Sequence, residues 1–349
     1  MFKMLSEVGL RKTEQSITPN AKPPTVDAMN WKLIREATSQ AGEKAIVVTW
    51  LGHACALVQI NGVNVLLDPV FSDRCSPFSF VGPKRYTEPP CQLKDLPKID
   101  AVVISHNHYD HLDLNSIKEL AEQHPEAHFY VPLGNKAWFN IEKSNERVTE
   151  LDWWQDRTLT LGNGKAVKLT CTPCQHFSGR GILDRNKTLW ASWCLEGVRE
   201  GQSSGGKVFF GGDTGYRAVP QGTKPDAQYD EDHLDTLPHC PAFKEIGSRI
   251  GPFDLSLIPI GAYSPRWFMS TIHCSPEDAV RVHEDVKSKK SIGIHWGTFV
   301  LTDEPIDEPP ERLKKALQKR GHDGEVFGVL KLGETMVIET SSSSTTSNL

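Results

Sequence analysis

Residues 106–111 read His-Asn-His-Tyr-Asp-His and follow an apolar run at residues 101–104. If that run is a β-strand, His106 and His108 stand two residues apart in extended chain, point to the same side and can share one metal ion. Asp110 and His111 come one turn later and face a second position beside the first. Two cations about 3.5–4 Å apart form a centre that hydrolyses phosphate and ester bonds. A polar loop with chance histidines is the alternative, and four ligand-type residues in six positions make it improbable.

A two-metal centre needs more than four ligands, and three further candidates follow other apolar runs. They are His176 after residues 166–173, Asp213 after residues 207–212, and His295 at the end of residues 291–295. Sites in layered α/β folds assemble at the carboxyl ends of strands, so we expect these residues to join the first four. Imidazoles and carboxylates suit zinc, while ligand type alone leaves manganese and iron open.

Predicted strands and helices, which must position these residues, alternate along the chain. The strand candidates are short and rich in β-branched residues, and Asn61-Gly62 favours a tight hairpin turn between two of them. They cover residues 47–51, 56–60, 63–67, 101–104, 128–131, 166–170, 189–195, 207–210, 255–260 and 291–295. The helix candidates cover residues 115–123, 276–289 and 310–319, the second opening with the capping sequence Ser-Pro-Glu-Asp. This interleaving predicts an α/β protein.

Composition divides the chain into three parts. Residues 1–44 are polar and proline-bearing, which predicts a partly disordered N-terminal extension. Apolar runs begin at residue 45, so a single catalytic domain is expected over residues 45–340. Within it, residues 217–241 have little apolar periodicity and predict a surface insertion that adds nothing to the core. The Ser/Thr-rich tail, residues 341–349, is expected to be disordered.

Overall composition limits the class of protein. The 349 residues are 38% hydrophobic and carry a formal net charge of -5. No run approaches the roughly 18 apolar residues of a membrane-spanning helix, so a soluble globular protein is expected, with any membrane contact peripheral. The negative charge and the lack of a long basic run argue against a nucleic-acid partner.

Eight cysteines without a secretory signal predict reduced thiols and an intracellular location. Cys171 and Cys174 have the spacing of half a zinc knuckle or of a redox motif. Because no second Cys-x-x-Cys completes a knuckle, they are interpreted as small residues of a strand and turn.

The spacing of the metal-type residues resembles that of the metallo-β-lactamase superfamily. The shared features are HxHxDH, a later histidine, an aspartate within GGDTG and a final histidine. The resemblance implies a four-layered αβ/βα sandwich that binds two zinc ions per chain. It assigns His106, His108 and His176 to one zinc, Asp110, His111 and His295 to the other, and Asp213 to a bridging position.

Longer sequence words resemble the N-acylphosphatidylethanolamine-hydrolysing phospholipase D family over roughly residues 45–335. They include TWLGHA, LLDPVFS, SPFSFVGPKRY, TPCQHFSGR, FFGGDTGY and IHWGTF. Residues 217–241 resemble fungal-type rather than animal members, and residues 1–44 match no motif. The resemblance implies hydrolysis of N-acylphosphatidylethanolamine to N-acylethanolamine and phosphatidic acid by attack of a zinc-bound hydroxide, and it suggests a homodimer.

Four residues are expected to support the metal ligands or the reaction. Asp110, besides its ligand role, and His273 are the predicted catalytic residues; His273 would assist departure of the ethanolamide oxygen. A histidine at this position is associated with activity in the family, while a surface or capping role is the alternative. Asp68 and His53 are expected to lie behind the ligands, where a carboxylate orients a metal-bound imidazole, or else to be plain turn residues.

A lipid substrate also requires an approach surface. Lys84 and Arg85, and further along Arg266, Trp267 and Phe268, combine cations with aromatic neighbours as bilayer interfaces do. Ordinary core and loop packing is the alternative.

Residues 1–24 contain four basic and two acidic residues, so an intracellular, membrane-associated location could include the mitochondrion.

Two other function classes stay open on the sequence alone. The same metal centre could serve a lactonase, another ester or phosphodiester hydrolase, or a nuclease, although a nuclease would want a basic arm that is not evident. A non-catalytic binding protein would have lost the bridging carboxylate or a ligand histidine, and neither is lost. The sequence therefore favours a dizinc lipid phosphodiesterase.

Overall fold

Two β-sheets form the frame of the protein, described by a computed structural model over residues 22, 24–37, 45–78, 80–139, 145–199 and 202–340. Their strands are β1 (Ala45–Gly52), β2 (Cys55–Ile60), β3 (Val63–Leu67), β4 (Ala101–Val103), β5 (His128–Pro132), β6 (Val148–Leu151), β7 (Asp156–Thr160), β8 (Ala166–Thr172), β9 (Ser192–Arg199), β10 (Gln202–Phe210), β11 (Leu255–Pro259), β12 (Ser291–Ile294), β13 (Phe327–Gly328) and β14 (Thr335–Glu339). The first sheet has the order β14-β1-β2-β3-β4-β5-β6, and the second has the order β13-β12-β11-β10-β9-β8-β7. Both sheets mix parallel and antiparallel pairs.

The central strands are apolar on both faces, which explains their continuous hydrophobic sequences. In β2, Ala56, Val58 and Ile60 pack in a cluster that contains residues of both sheets. Cys55 and Leu57, which point to the opposite face, pack in a second cluster. Because side chains alternate along a strand, each central strand of this sheet contributes to two hydrophobic layers.

The described residues form seven α-helices, several of which pack on the two sheets. They are α1 (Trp31–Glu36), α2 (Leu114–Gln123), α3 (Glu231–Asp235), α4 (Ala242–Arg249), α5 (Arg266–Met269), α6 (Pro276–Asp285) and α7 (Glu308–Lys319). Ile117 and Leu120 of α2 pack on the first sheet, whereas Val280 of α6 and Leu317 of α7 pack with the second. The layers run helix, sheet, sheet, helix, so the predicted four-layered αβ/βα sandwich is confirmed.

The predicted strands all form, with small shifts at their ends. The strand expected at residues 189–195 begins at Ser192 and continues to Arg199, and the helix expected at residues 276–289 ends at Asp285. The sequence analysis missed β6, β7, β13 and β14. Strand β7 lies at the edge of its sheet with mostly exposed residues, so it lacks the apolar alternation from which strands are predicted.

Residues 24–37 belong to the folded domain, which corrects the boundary placed at residue 45. Ile34 of α1 is fully buried in the same cluster as Leu57. The Gln59 Nε2 amide donates a hydrogen bond of 2.8 Å to the Ile34 carbonyl. Residues 1–21, 23 and 38–44 of the predicted extension lie outside the described residues, as does the predicted tail, residues 341–349.

Residues 217–241 also contribute to the core, so the expectation that they add nothing to it is wrong. Val219 and Leu234 are buried, and Arg217 is buried against Asp278 of α6 at 2.7 Å. These contacts join residues distant in sequence, and the short segment has too few apolar residues for a periodic pattern to reveal them.

We predict that Ile34→Ala lowers the free energy of unfolding by about 2–5 kcal/mol, because it leaves a cavity beneath the first sheet. Chemical denaturation followed by circular dichroism measures this change. Lys32→Ala, an exposed position on the same helix, is the control and should change stability by less than about 0.5 kcal/mol. Equal stability of the two variants would contradict the assignment of α1 to the folded domain.

Candidate metal centre

All seven predicted ligands converge where strands of both sheets end. His106 follows β4, His176 follows β8, Asp213 follows β10 and His295 directly follows β12. The loop between β4 and α2 supplies the remaining three, His108, Asp110 and His111. All seven are buried or half-buried. Their side chains form two adjacent groups that could each hold a metal ion.

In the first group, three imidazole nitrogens point at one another. His108 Nδ1 lies 2.7 Å from His106 Nε2 and 3.3 Å from His176 Nε2. Asp213 Oδ2 lies 3.8 Å from His106 Nε2 and 3.7 Å from His176 Nε2. This is a cluster of three nitrogens and one oxygen, the donor number of a tetrahedral zinc site.

Hydrogen bonds on the outer side of the rings fix which nitrogens carry lone pairs. His176 Nδ1 lies 2.8 Å from the Ile272 carbonyl, which can only accept, so Nδ1 carries the proton. His106 Nδ1 lies 2.9 Å from the Ser105 hydroxyl oxygen. Burial, the largest influence, lowers the pKa of both His106 and His176 well below the ordinary imidazole value. Neutral rings with Nε2 lone pairs turned inward are the form that binds a metal ion.

The second group shares Asp213 with the first. His111 Nε2 lies 3.1 Å from Asp213 Oδ2, and His295 Nε2 lies 3.0 Å from Asp213 Oδ1. Asp110 Oδ2 lies 3.4 Å from His111 Nε2 and 3.6 Å from His295 Nε2. Asp213 therefore stands between the two groups, as expected of a bridging carboxylate.

The two carboxylates make this group attractive to positive charge. Burial alone would raise the pKa of Asp110 and of Asp213. The positive charge of His111, together with further neighbouring histidines, outweighs burial and holds both pKa values well below the usual range. Burial likewise opposes protonation of His295, but Asp213 and Asp110 raise its pKa to about 9. The same field that favours a proton on His295 favours a metal cation between these side chains.

Unpartnered polar atoms test whether the residues fit metal ions. His111 Nε2, His295 Nε2 and Asp213 Oδ1 are buried and make no hydrogen bond with acceptable angles, although they lie close together. Buried polar atoms without partners are costly and rare. A cation in the second group would use these atoms, so the residues of that group fit a metal ion. In the first group the inward-turned imidazole nitrogens and Asp213 are the donors that another ion would use. Nitrogen and carboxylate donors suit zinc.

Asp68 lies behind both groups, in the position predicted for it. Its Oδ2 accepts hydrogen bonds from His111 Nδ1 at 2.6 Å and from the Ser105 hydroxyl at 2.5 Å, and its Oδ1 accepts from the Ser105 amide at 2.7 Å. Because Ser105 donates its only hydroxyl proton to Asp68, its oxygen accepts from His106 Nδ1. One carboxylate thus orients a histidine of each group. Ser105 was missed, since a serine before a histidine carries no signal in sequence.

His53 lies directly beside the second group. Its Nε2 is 2.9 Å from Asp110 Oδ2, its ring centroid is 4.0 Å from that of His295, and its carbonyl accepts the His295 amide at 2.9 Å. Burial lowers the pKa of His53 to about 3, so its ring is neutral at pH 7. His53 therefore holds two predicted ligands in place, and its Nε2 lies close enough to them to bind a metal itself.

The backbone of this region is locally strained. His53, Asp68 and His295 adopt positive φ angles of 51°, 36° and 63°. Residues other than glycine rarely adopt such angles, and strain of this kind concentrates at functional sites.

His273 is brought to the centre by the loop between α5 and α6. Its Nδ1 is buried, makes no hydrogen bond and lies 3.9 Å from Asp213 Oδ2. Its ring lies 5.1 Å from that of His176 and 5.3 Å from that of His295. A surface role is therefore excluded, and the position fits a residue that contacts a bound substrate.

Two of the predicted surface cations are buried instead, which corrects their assignment. Arg85 donates to the carbonyls of Val70 and Ser72 and closes the loop that follows β3. Arg266 is fully buried, pairs with Asp278 and donates to the His273 carbonyl at 3.2 Å. A local sequence that mixes arginine with aromatic residues cannot distinguish a snorkelling side chain from one held by backbone carbonyls.

The other three surface residues are exposed. Lys84 is more than half exposed and lies 3.5 Å from Asp73. Trp267 and Phe268 of α5 expose 39% and 45% of their surface. The exposed parts of these three side chains could contact a partner.

Arg180 is a supporting residue that the sequence analysis did not identify. Its guanidinium donates to the carbonyls of Asn107 at 2.9 Å and Leu112 at 2.7 Å, and it stacks 3.9 Å from the Tyr109 ring. Arg180 lies in the segment that follows His176. It therefore joins this segment to the loop that carries His108, Asp110 and His111.

Comparisons with known proteins agree with this geometry. The sequence profile of the Beta-lactamase superfamily domain matches residues 63–228 and 232–296. The N-acyl-phosphatidylethanolamine-hydrolyzing phospholipase D 1 of Caenorhabditis elegans is 41% identical over 283 residues, which cover 80% of this chain and 71% of that protein. The mitochondrial N-acyl-phosphatidylethanolamine-hydrolyzing phospholipase D of Saccharomyces cerevisiae is 34% identical over 288 residues, 82% of this chain.

An uncharacterized protein of Mycobacterium tuberculosis is 44% identical over 277 residues, 78% of this chain. The chain spans 64% of the mycobacterial protein and 55% of the yeast protein, less than two thirds of each. Among solved structures, an isothiocyanate hydrolase from Delia radicum gut bacteria has a TM-score of 0.57 at 15% identity and covers 83% of this chain and 98% of its own. A metallo hydrolase from Ignicoccus hospitalis has a TM-score of 0.52 at 19% identity, covering 84% and 99%. These two structures show the shared fold.

We predict that Asp68→Asn weakens zinc binding about 10–100-fold while the protein remains folded, because two ligand histidines lose the carboxylate that orients them. Competition with a chromophoric chelator measures the affinity. Asp113→Asn is the control, since Asp113 is also buried and hydrogen-bonded but accepts only from serines. If the two variants bind zinc equally well, Asp68 does not organise the centre.

We predict that Asp278→Asn lowers the free energy of unfolding by about 3–5 kcal/mol, because it leaves the guanidiniums of Arg217 and Arg266 buried without their carboxylate. Asp235→Asn is the control: its carboxylate also pairs with an arginine, Arg281, but is 57% exposed, so a loss of at most about 1 kcal/mol is expected. Urea denaturation compares the two. A similar, small loss in both would contradict the correction made for Arg266.

Proposed function

Because the chain belongs to the N-acylphosphatidylethanolamine-hydrolysing phospholipase D family of the Beta-lactamase superfamily, we propose that it cleaves N-acylphosphatidylethanolamine. The products would be N-acylethanolamine and phosphatidic acid. That the chain is a hydrolase follows from its family, and the resemblance stated from sequence is confirmed. The observation that carries the specific reaction is the 41% identity, over most of both chains, with a relative named for it.

Two zinc ions are part of the proposal. His106, His108 and His176 would hold one ion, Asp110, His111 and His295 the other, and Asp213 would contact both. When bound, such ions supply positive charge that offsets the charge of a phosphodiester and lowers the pKa of water beside them. The neutral His106 and His176 rings, and the carboxylates of Asp110 and Asp213, support this assignment.

The chain's own residues account for the remaining tasks of the reaction. Asp110, whose Oδ2 lies 2.9 Å from His53 Nε2, would act as a metal ligand, and this is the catalytic role that we assign to it. His273 offers an unpartnered Nδ1 beside Asp213, and burial lowers its pKa to about 4, so its ring is neutral at pH 7. We assign to this neutral ring a hydrogen bond to the departing ethanolamide oxygen, which assists its departure. Two hydrogen bonds of the His273 backbone hold this ring in position. Its carbonyl accepts from Arg266, and its amide donates to the Met269 carbonyl at 2.8 Å.

A phospholipid substrate places the protein at a membrane surface, which Lys84, Trp267 and Phe268 would contact. None of the described helices combines the length and apolar character needed to cross a bilayer. The name of the yeast relative and the basic residues among residues 1–24 support a mitochondrial location. The homodimer stays a prediction, as does the absence of a nucleic-acid partner.

We predict that His108→Ala and Asp213→Asn abolish hydrolysis, because each removes a donor from the proposed centre. The purified protein is incubated with N-acylphosphatidylethanolamine in detergent micelles, and products are identified by mass spectrometry. Equal amounts of phosphatidic acid and N-acylethanolamine are expected from the unaltered protein. His128→Ala, which removes a histidine of β5 bonded only to Thr149, is the control and should retain activity.

Retained turnover in either centre variant, with unchanged circular dichroism, would contradict the two-metal site. If the unaltered protein binds two zinc ions but cleaves no N-acylphosphatidylethanolamine, the proposed substrate is wrong and lactones or other phosphodiesters become the substrates to test.

A further inference from the structure

The loop at residues 177–188, which directly follows the predicted ligand His176, carries two consecutive aliphatic side chains at its tip. Ile182 and Leu183 are 87% and 85% exposed, more than any other large hydrophobic side chain in the described part of the chain. Isolated exposed hydrophobic residues are common on proteins, but an adjacent pair this open to water needs an explanation.

The 177–188 loop is held in place by its own hydrogen bonds. Its ends are joined by the Ser178 hydroxyl, which donates to the Thr188 carbonyl at 2.5 Å, and by the Asn186 amide, which donates to the Ser178 carbonyl at 2.9 Å. Asp184 accepts from the amides of Arg180 at 2.9 Å and Gly181 at 2.7 Å. The fold therefore presents the two aliphatic residues on an ordered support.

The loop is also fastened to the metal centre. Arg180 donates to carbonyls of the loop that carries His108, Asp110 and His111, and the Tyr109 hydroxyl donates to the Arg180 carbonyl at 3.1 Å. The Gly179 amide donates to Asn107 Oδ1 at 2.7 Å. The tip is consequently fixed at a set position relative to the predicted ligands.

Two other segments, each connected in sequence to a residue of the centre, also expose apolar side chains. The loop after Asp68 exposes Phe78, Phe80 and Val81, and α5, just before His273, exposes Trp267 and Phe268. Together with Ile182 and Leu183, these are most of the exposed large hydrophobic residues in the described ranges. We call these seven exposed residues the apolar rim, because all of them lie on segments connected in sequence to residues of the centre.

The charge of the 177–188 loop indicates which kind of surface the apolar rim binds. The whole chain has a formal net charge of -5, yet the 177–188 loop exposes two cations, Arg185 and Lys187, against a single acid, Asp184. Basic residues behind an apolar tip match a bilayer, in which aliphatic side chains enter between lipids and cations meet anionic headgroups.

We propose that the 177–188 loop is a membrane-insertion element that seats Ile182 and Leu183 among the lipids of an anionic bilayer and so holds the metal centre against the surface. The proposal rests on the proposed function, since a phospholipid substrate is the reason to dock. To the proposed function it adds the segment that binds the membrane, the 177–188 loop, which was not predicted from the sequence.

The test is cosedimentation of the full chain with vesicles made of equal amounts of phosphatidylcholine and phosphatidylglycerol. The double variant Ile182→Ser/Leu183→Ser should partition to vesicles at least about tenfold less than the unaltered protein, because it no longer buries two aliphatic side chains. The matched control, Val26→Ser/Val337→Ser, removes two exposed aliphatic residues outside the rim and should bind as the unaltered protein does. All residues changed are exposed, and circular dichroism checks their folding.

Unchanged vesicle binding by the loop variant would overturn the proposal, as would an equal loss in the control variant. A change in oligomeric state on light scattering, without a change in vesicle binding, would instead make the loop a contact between copies of the chain and also overturn it. Binding is measured without catalysis. Loss of binding by the loop variant therefore supports the insertion element even if N-acylphosphatidylethanolamine is not cleaved, and cleavage in micelles with unchanged binding supports only the proposed function.

Discussion

The hydrogen bonds accepted by Asp68 set the geometry on which the centre depends. Strands β3 and β4 are parallel, and their register pairs Leu67 with Val103. The Asp68 amide continues this ladder by donating to the Val103 carbonyl at 2.9 Å, which places the Asp68 carboxylate at Ser105. From there the carboxylate orients His111 directly and His106 through the serine hydroxyl. The tautomers of one ligand in each group thus follow from the pairing of two buried strands.

The second sheet completes the centre by approaching the same point closely. The Ala191 amide donates to the Ser105 carbonyl at 2.9 Å, and Trp193 Nε1 donates to the Ile104 carbonyl at 3.0 Å. Gly212 has a φ of 56°, and a Cβ there would lie 2.5 Å from the Ser105 Cβ. A glycine before Asp213 is therefore required for its carboxylate to reach both groups of histidines. The residue pattern Gly-Gly-Asp is explained by contact between sheets as well as by chemistry.

The strands and the convergence of the seven metal-type residues could be predicted because both follow from local patterns. Buried strands alternate visibly, and ligand-type residues placed after several such strands must meet at one edge of a layered fold. The resemblance to a known family then supplied the grouping of ligands. Asp68 behind the ligands was also expected, since a metal-bound histidine usually needs an acceptor for its outer N–H.

What could not be predicted depends on contacts between residues distant in sequence. Arg85 and Arg266 have the same local surroundings as a surface cation, and only the fold shows the carbonyls and the carboxylate that bury them. Val219 and Leu234 are buried, but they lie in a polar segment whose sequence has no apolar pattern that would predict their burial. Ser105 and Arg180 act on the centre through hydrogen bonds, and Arg180 also through its contact with Tyr109. The sequence has no periodic signal for such contacts.

The central claim is that two metal ions share Asp213 in this centre. X-ray diffraction from crystals of the zinc-loaded protein, recorded on both sides of the zinc absorption edge, tests it most directly. The account predicts two anomalous peaks per chain about 3.5–4 Å apart, one among His106, His108 and His176 and the other among Asp110, His111 and His295. A single peak, or peaks that do not contact Asp213, would contradict it.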